Sequence, residues 1–189
     1  MTFVVSVAPA VEPVSLDEAK VQCRIDSTFD DDEITAMIVA ARNQAELKLN
    51  RYIITQTIDA YYDRFISCFE LPPLQTVTSI TYLDNNGDSQ TLAASQYVVD
   101  DKSIPARITP AYGVTWPSTY DQTNAVSIKF IAGYGLAADV PEVIKQWIKL
   151  QVTQYFENRS PVVIGASVAE VPRDYVDGLL DSERVLSRV

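Results

Sequence analysis

Residues 29–52 read FDDDEITAMIVAARNQAELKLNRY, and the spacing of their apolar side chains organises the rest of the chain. Ile34, Met37, Ile38, Ala41, Ala45 and Leu49 recur at helical intervals and make one apolar stripe, the signature of an amphipathic helix. Arg42, Asn43, Glu46, Lys48 and Asn50 fall on the side expected to face water. Asp30 stands where an N-cap belongs and Glu33 follows three residues on, which predicts a capping box, with Asp31 and Asp32 favoured by the helix dipole. A helix of about 20 residues is about 30 Å long, enough for the spine of a small domain. It carries no catalytic group.

Upstream, residues 3–7 predict a short strand in an otherwise extended arm. Ser15-Leu16-Asp17-Glu18 is a second capping box, predicting a helix over 16–24 with Leu16, Ala19 and Cys23 on its buried side. Downstream the period changes. From residue 53 to about 133 the chain is rich in Thr, Tyr, Val and Ile, and alternation predicts strands over 55–64, 68–71, 77–83, 89–92, 97–100, 107–109 and 126–132. Asp84-Asn85-Asn86-Gly87 reads as a hairpin turn, because Asn-Gly accepts the positive φ such turns need. Helix returns with Asp139 and Glu142 as a third capping box and Pro141 in the first turn. Ile144, Trp147, Ile148, Val152 and Tyr155 form its stripe, and it should end near 158–161. A loop over 161–171 and a weaker helix over 172–184 follow. The expected fold class is α+β: a helical core of about four helices, residues 1–54 and 133–189, carrying an inserted antiparallel β segment over 55–132.

The composition narrows the function. Hydrophobic residues make up 47% and charged residues 21% of the 189 positions, the balance of a globular protein with a core. The net charge is −10, with 15 basic residues against 25 acidic ones, which disfavours a clamp on nucleic-acid phosphates. No stretch approaches the roughly 18 apolar residues of a membrane span, and the N-terminus lacks the basic flank of a signal peptide. The expectation is a soluble cytoplasmic protein. Two cysteines without a CxxC pattern, in a chain with no histidine, argue against zinc. Free thiols are the favoured state of Cys23 and Cys68, with a disulfide left open.

The absence of histidine also removes Ser-His-Asp and Cys-His nucleophile systems. No phosphate-binding glycine loop is present. Asp30-Asp31-Asp32-Glu33 has carboxylates for a divalent cation but reads better as helix capping. Asp84-Asn85-Asn86-Gly87-Asp88 has its glycine in the wrong place for a calcium loop. Gly133-Tyr134-Gly135 reads as a chain reversal. No catalytic, cofactor-binding or metal-binding residue is assigned, and no cofactor is expected.

The order of parts carries more. VEPVSLDEAKVQCRID, then DDDEITAMIVAARNQAELKLNRYI, then IKFIAGYGLAADVPEVIKQWIKLQVTQYFENR resembles the head–tail connector (adaptor) proteins of long-tailed bacteriophages. The match falls on Ser15, Leu16, Glu18, Ala19, Lys20, Arg24 and Asp26, on Asp31, Asp32, Ile34, Ile38, Ala40, Ala41, Glu46 and Arg51, and later on Gly133, Tyr134, Gly135, Pro141, Ile144, Tyr155, Asn158 and Arg159. The resemblance implies a non-enzymatic virion protein at the capsid–tail junction, assembled in the host cytoplasm. It implies a ring, typically of about twelve subunits, beneath the portal. Such a ring extends the DNA channel without binding DNA specifically and docks the next connector or tail-completion protein. A stopper or tail-completion protein, and a monomeric β-rich ligand-binding module, are the alternatives.

The candidate assembly interface is the C-terminal segment. Val176, Leu179, Leu180, Val185 and Leu186 are apolar residues on a poorly capped helix, and Arg184 and Arg188 could pair with acidic surfaces. The aromatics Tyr61, Tyr62, Tyr82, Tyr97, Tyr112 and Trp116 are expected mainly inside the sheet's own core.

Overall fold

The computed structural model describes residues 1–158 and 176–185. The chain is α+β and divides into two units, each assembled from segments distant in sequence.

One unit comprises Met1–Ala10 and Thr55–Tyr134. Its strands are β1 (Thr2–Val7), β2 (Gln56–Tyr62), β3 (Phe69–Leu71), β4 (Leu74–Leu83), β5 (Ser89–Thr91), β6 (Tyr97–Asp100), β7 (Ala106–Pro110) and β8 (Val126–Ala132). They form a five-stranded sheet in the order β1-β2-β8-β4-β5 and a three-stranded sheet in the order β3-β7-β6. All pairings are antiparallel. Register follows the period-2 pattern: Ile58 faces Phe130, Ala60 faces Ile128, and Ile80 faces Ile128 from the other side. These side chains are buried, as are Phe69, Leu71 and Ile108 of the smaller sheet. An aromatic cluster adds to this core. Phe65 stacks on Trp116 at 4.9 Å, and Tyr62 meets Phe69 edge-on at 4.6 Å.

The N-terminal arm departs from its expected grouping with the helices. TFVVSV pairs with β2, so Met1–Ala10 joins the sheet. The hairpin follows the expectation: Gly87 sits at φ +87° and donates to the Asp84 carbonyl at 2.8 Å. The Asp84 carboxylate accepts backbone N–H bonds from Asn86 at 2.8 Å and Asp88 at 3.2 Å. These bonds, that of Asn86 foremost, hold its carboxyl below the usual range.

The other unit comprises Val11–Ile54 and the described residues from Gly135 onwards. It contains α1 (Leu16–Cys23), α2 (Asp31–Leu49) and α3 (Glu142–Glu157), each touching the other two. Short 3-10 turns lie at Ala137–Asp139 and Gly178–Glu183. The α1 capping box forms as expected, with Ser15 N–H donating to Glu18 Oε2 at 2.8 Å and Glu18 N–H to Ser15 Oγ at 3.2 Å. The other two expected boxes do not form. Asp30 occupies the N-cap of α2 with φ −101° and ψ 12°, away from the extended geometry that aims a side chain at the first-turn N–H groups, and it makes no side-chain cap bond. Pro141 is the N-cap of α3, while the Asp139 carboxylate closes the preceding turn by accepting from Leu136 N–H at 2.8 Å.

Arg42 corrects the reading of the α2 surface. Expected in water, it is 6% exposed. Its Nε donates to Glu12 at 2.7 Å and its terminal nitrogen to Glu46 at 3.1 Å. Two carboxylates and three hydrogen bonds, counting that to Asn43, make its burial tolerable. The buried stripe otherwise matches: Ile34, Met37, Ile38, Ala41, Ala45 and Leu49 line the core with Ile144, Trp147, Ile148 and Val152 of α3.

Candidate assembly surfaces

The described part of the C-terminal segment lies on its own helical unit. Val176 and Asp177 are helical, and the 3-10 turn Gly178–Glu183 continues from them. Leu180 is 3% and Val185 5% exposed, set against α2 and α3. Val185 N–H donates to the Leu49 carbonyl at 2.9 Å. Asp177 holds two groups at once, the Lys48 ammonium at 2.7 Å and the Trp147 indole N–H at 3.2 Å. Arg51 donates to the Glu183 carbonyl at 3.3 Å and stands 3.6 Å from its carboxylate.

This arrangement sorts the candidate interface residues. Leu180 and Val185 bury their apolar surface inside their own unit, a gain of about 1.5–3 kcal/mol each. Val176 and Leu179 are half-buried and Arg184 is exposed. Leu186 and Arg188 lie outside the described residues, as does the expected loop over 161–171. The described segment therefore presents outward two half-buried aliphatic side chains and the Arg184 guanidinium, together with exposed Asp181 and Ser182.

Other apolar side chains stand in water. On the helical unit these include Phe29, 91% exposed, and Leu47, 84% exposed. On the β unit, Val4, Val5 and Val7 project from β1, which is an edge strand without charge or proline. Sequence patterning passes over Phe29 and Leu47 because a stripe search selects buried positions. The usable signal is the stretch between them, residues 34–45, whose one charged residue is Arg42.

Among the aromatics, Tyr62 is buried, Tyr61, Tyr82, Tyr97 and Trp116 are half-buried, and Tyr112 is exposed. Burial pushes the Tyr62 phenol up to about 12. Its hydroxyl and the Trp116 indole nitrogen are buried without a hydrogen-bond partner among the described residues. A shallow groove of about 310 Å³ on the β unit is lined by Gln75, Thr76, Val77, Ala94, Tyr97, Val99 and Asp101, with no second carboxylate and no basic side chain in that lining. Among the described residues no three Cys, Asp or Glu side chains converge as a metal site. Cys23 and Cys68 are free thiols, and no described helix is long and apolar enough to cross a membrane. Exposed apolar side chains on both units are thus the prominent surface feature of the described residues.

The chain resembles, over its whole length, a chain in the neck of an empty gene transfer agent (GTA) particle computed with C6 symmetry. That match has a TM-score of 0.81 at 22% identity, covering 100% of this chain and 98% of the other. A chain from the virion of the native GTA particle matches with a TM-score of 0.78 at 20% identity over 100% and 98%. One from the native neck computed with C12 symmetry gives 0.71 at 21% over 98% and 97%. At these identities the likeness establishes the fold. Among curated proteins none matches. The family model for the phage gp6-like head–tail connector protein matches residues 13–107, just over half the chain, from the segment before α1 to β7. The chain belongs to the phage gp6-like head–tail connector family.

Proposed function

We propose that this protein is the adaptor of a head–tail connector, a non-enzymatic virion component whose copies close into a ring beneath the portal vertex. The ring extends the DNA channel and gives the next tail-side connector a platform. The observation that carries this reading is the family match over residues 13–107, joined to a full-length fold shared with chains from particle necks. Those necks were computed with cyclic symmetry, and a closed ring is what head-to-tail contacts generate when their rotation closes.

The physical character of the chain supports it. The helical core of residues 11–54 and 135–158, with its capped α1 and ion-paired Arg42, serves as the rigid connector body. A subunit of net charge −10 lets DNA pass without adhering, since phosphates gain nothing from an acidic wall. The outward residues of the C-terminal segment, Val176, Leu179 and Arg184, meet the portal or the next connector, and Leu186 and Arg188 extend that contact.

Negative-stain electron microscopy of the purified protein, alone and mixed with a portal from the same source, tests the proposal. A ring, or a monomer that becomes a ring layer on the portal, is expected. A monomer that ignores the portal would refute it.

A further inference from the structure

Helix α2 carries a second stripe on the side away from its buried one. Ala36, Ala40, Asn43 and Leu47, spaced by four, three and four residues, are all exposed. That alternation of four and three is the seam of a coiled coil, whose contacts recur every 3.5 residues on average. Phe29, one heptad before Ala36, stands exposed in the turn that starts the helix. Between Glu33 and Glu46 the helix has a single charged residue, Arg42, which is turned inward and paired. About three turns of exposed helix therefore present no charge, bounded by Asp32 and Glu33 at one end and Lys48 at the other. Alanines at 36 and 40 allow a second helix to approach closely, with Leu47 as the knob.

The charge of the chain identifies what covers this stripe. Two copies of a subunit at −10 repel wherever their acidic surfaces meet, and like charges set face to face cost affinity. A neutral seam is where two such copies approach without that cost. A basic partner would gain from the acidic faces and lose nothing by avoiding the neutral one. A head-to-tail contact also needs two different surfaces on each subunit. The second is on α3, where Val143, Gln146, Leu150 and Gln154 form another uncharged line, exposed or half-buried, along the flank that borders buried Trp147.

We propose that the outer stripe of α2 packs against the uncharged line of α3 of a second copy. The inference rests on the ring reading for its biological setting, and it is tested separately from it. Benzoylphenylalanine in place of Leu47, in the full-length chain mixed with isotope-labelled copies, is irradiated alone and after mixing with the portal. Mass spectrometry is expected to join position 47 to peptides of α3 from the other copy. Adducts to another element, or none within rings seen by microscopy, would overturn the inference and leave the ring intact. If the chain makes no rings but position 47 still joins α3 of a second copy, the ring reading fails and this contact stands. No ring and no such adduct refutes both. Ala40→Glu and Leu47→Glu, both on exposed positions, should keep the wild-type circular dichroism and reduce assembly at fixed concentration by about tenfold or more, as expected for charge placed in a helix–helix seam. Undiminished assembly by both variants overturns the proposal.

Discussion

Replacing Arg42 with alanine should destabilise the helical unit by about 3 kcal/mol. The residue is 6% exposed, and its guanidinium is what neutralises Glu12 at 2.7 Å and Glu46 at 3.1 Å. Removing one partner of a buried ion pair costs about 3–5 kcal/mol, because the remaining charge stays desolvated. Two features place this case at the lower end. Glu46 keeps the Ile53 N–H at 2.9 Å, and the Glu12 side chain is already 23% exposed and hydrates when released. Urea unfolding is the assay, followed through Trp147, which is fully buried in the helical unit. The other tryptophan, Trp116, belongs to the β unit, and Trp116→Phe keeps an aromatic ring against Phe65 while silencing it. With an m-value of about 2 kcal/mol/M, the midpoint should fall by about 1.5 M. Adding Glu12→Gln to Arg42→Ala should restore part of the loss, since one uncompensated charge disappears. A midpoint shift under about 0.5 M, or a double variant no more stable than the single one, would refute the view of Arg42 as a buried hub.

Ser15→Ala removes the hydroxyl half of the α1 capping box and should cost about 1 kcal/mol in the same urea assay. Backbone and side-chain hydrogen bonds from Ser15 hold the Glu18 carboxyl below its usual range. A depressed carboxyl contributes stability that is present above the unfolded value and lost as pH falls through the folded one. Wild type should therefore shed more stability than Ser15→Ala on acidification below about 4.3, the ordinary glutamate value, and equal acid slopes would contradict this. Tyr62→Phe deletes a buried hydroxyl without a partner and should be neutral or stabilising by up to about 1 kcal/mol. A clear loss of stability would show that the hydroxyl is bonded. Gly135→Ala places a Cβ against the Asp139 carboxylate at φ +139° and should cost about 2 kcal/mol of thermal stability. Asp139→Ala in the same chain should relieve only the steric part.

Local signals in this sequence are legible where the physics is local. The strands Tyr97–Asp100 and Val126–Ala132 fall where alternation places them, and α1 starts where Ser15 and Glu18 mark its cap. The Asn-Gly turn at 86–87 likewise needs no distant partner. The failures are all non-local or geometric. TFVVSV gives no hint that its partner is β2, some fifty residues away, so the arm reads as part of the helical half. Arg42 sits at a polar position by helical periodicity, and only the arrival of Glu12 from before α1 makes its burial possible. Asp30 has the right chemistry for a cap, but capping depends on a backbone angle that the residue type does not dictate. In the C-terminal segment, Leu180 and Val185 read no differently from Val176 and Leu179, because which side of a short turn meets α2 and α3 is a tertiary fact.

The strand order has a consequence for how the chain is made. In the five-stranded sheet the middle position belongs to β8, the last of its strands to leave the ribosome. Before it emerges, β1 and β2 on one flank and β4 and β5 on the other have no strand to join them. The helical unit waits as well, since α3 follows β8 in the chain. Both units are thus completed by residues 126–157, through contacts of long sequence separation that form slowly. A nascent chain stopped at about residue 120 displays Ile58, Ile80 and the apolar face of α2, the kind of surface that recruits chaperones or aggregates. Synthesis must nearly finish before either half becomes a stable object. A truncation in the final third is therefore a folding lesion for the whole subunit, with no surviving domain to retain half the function.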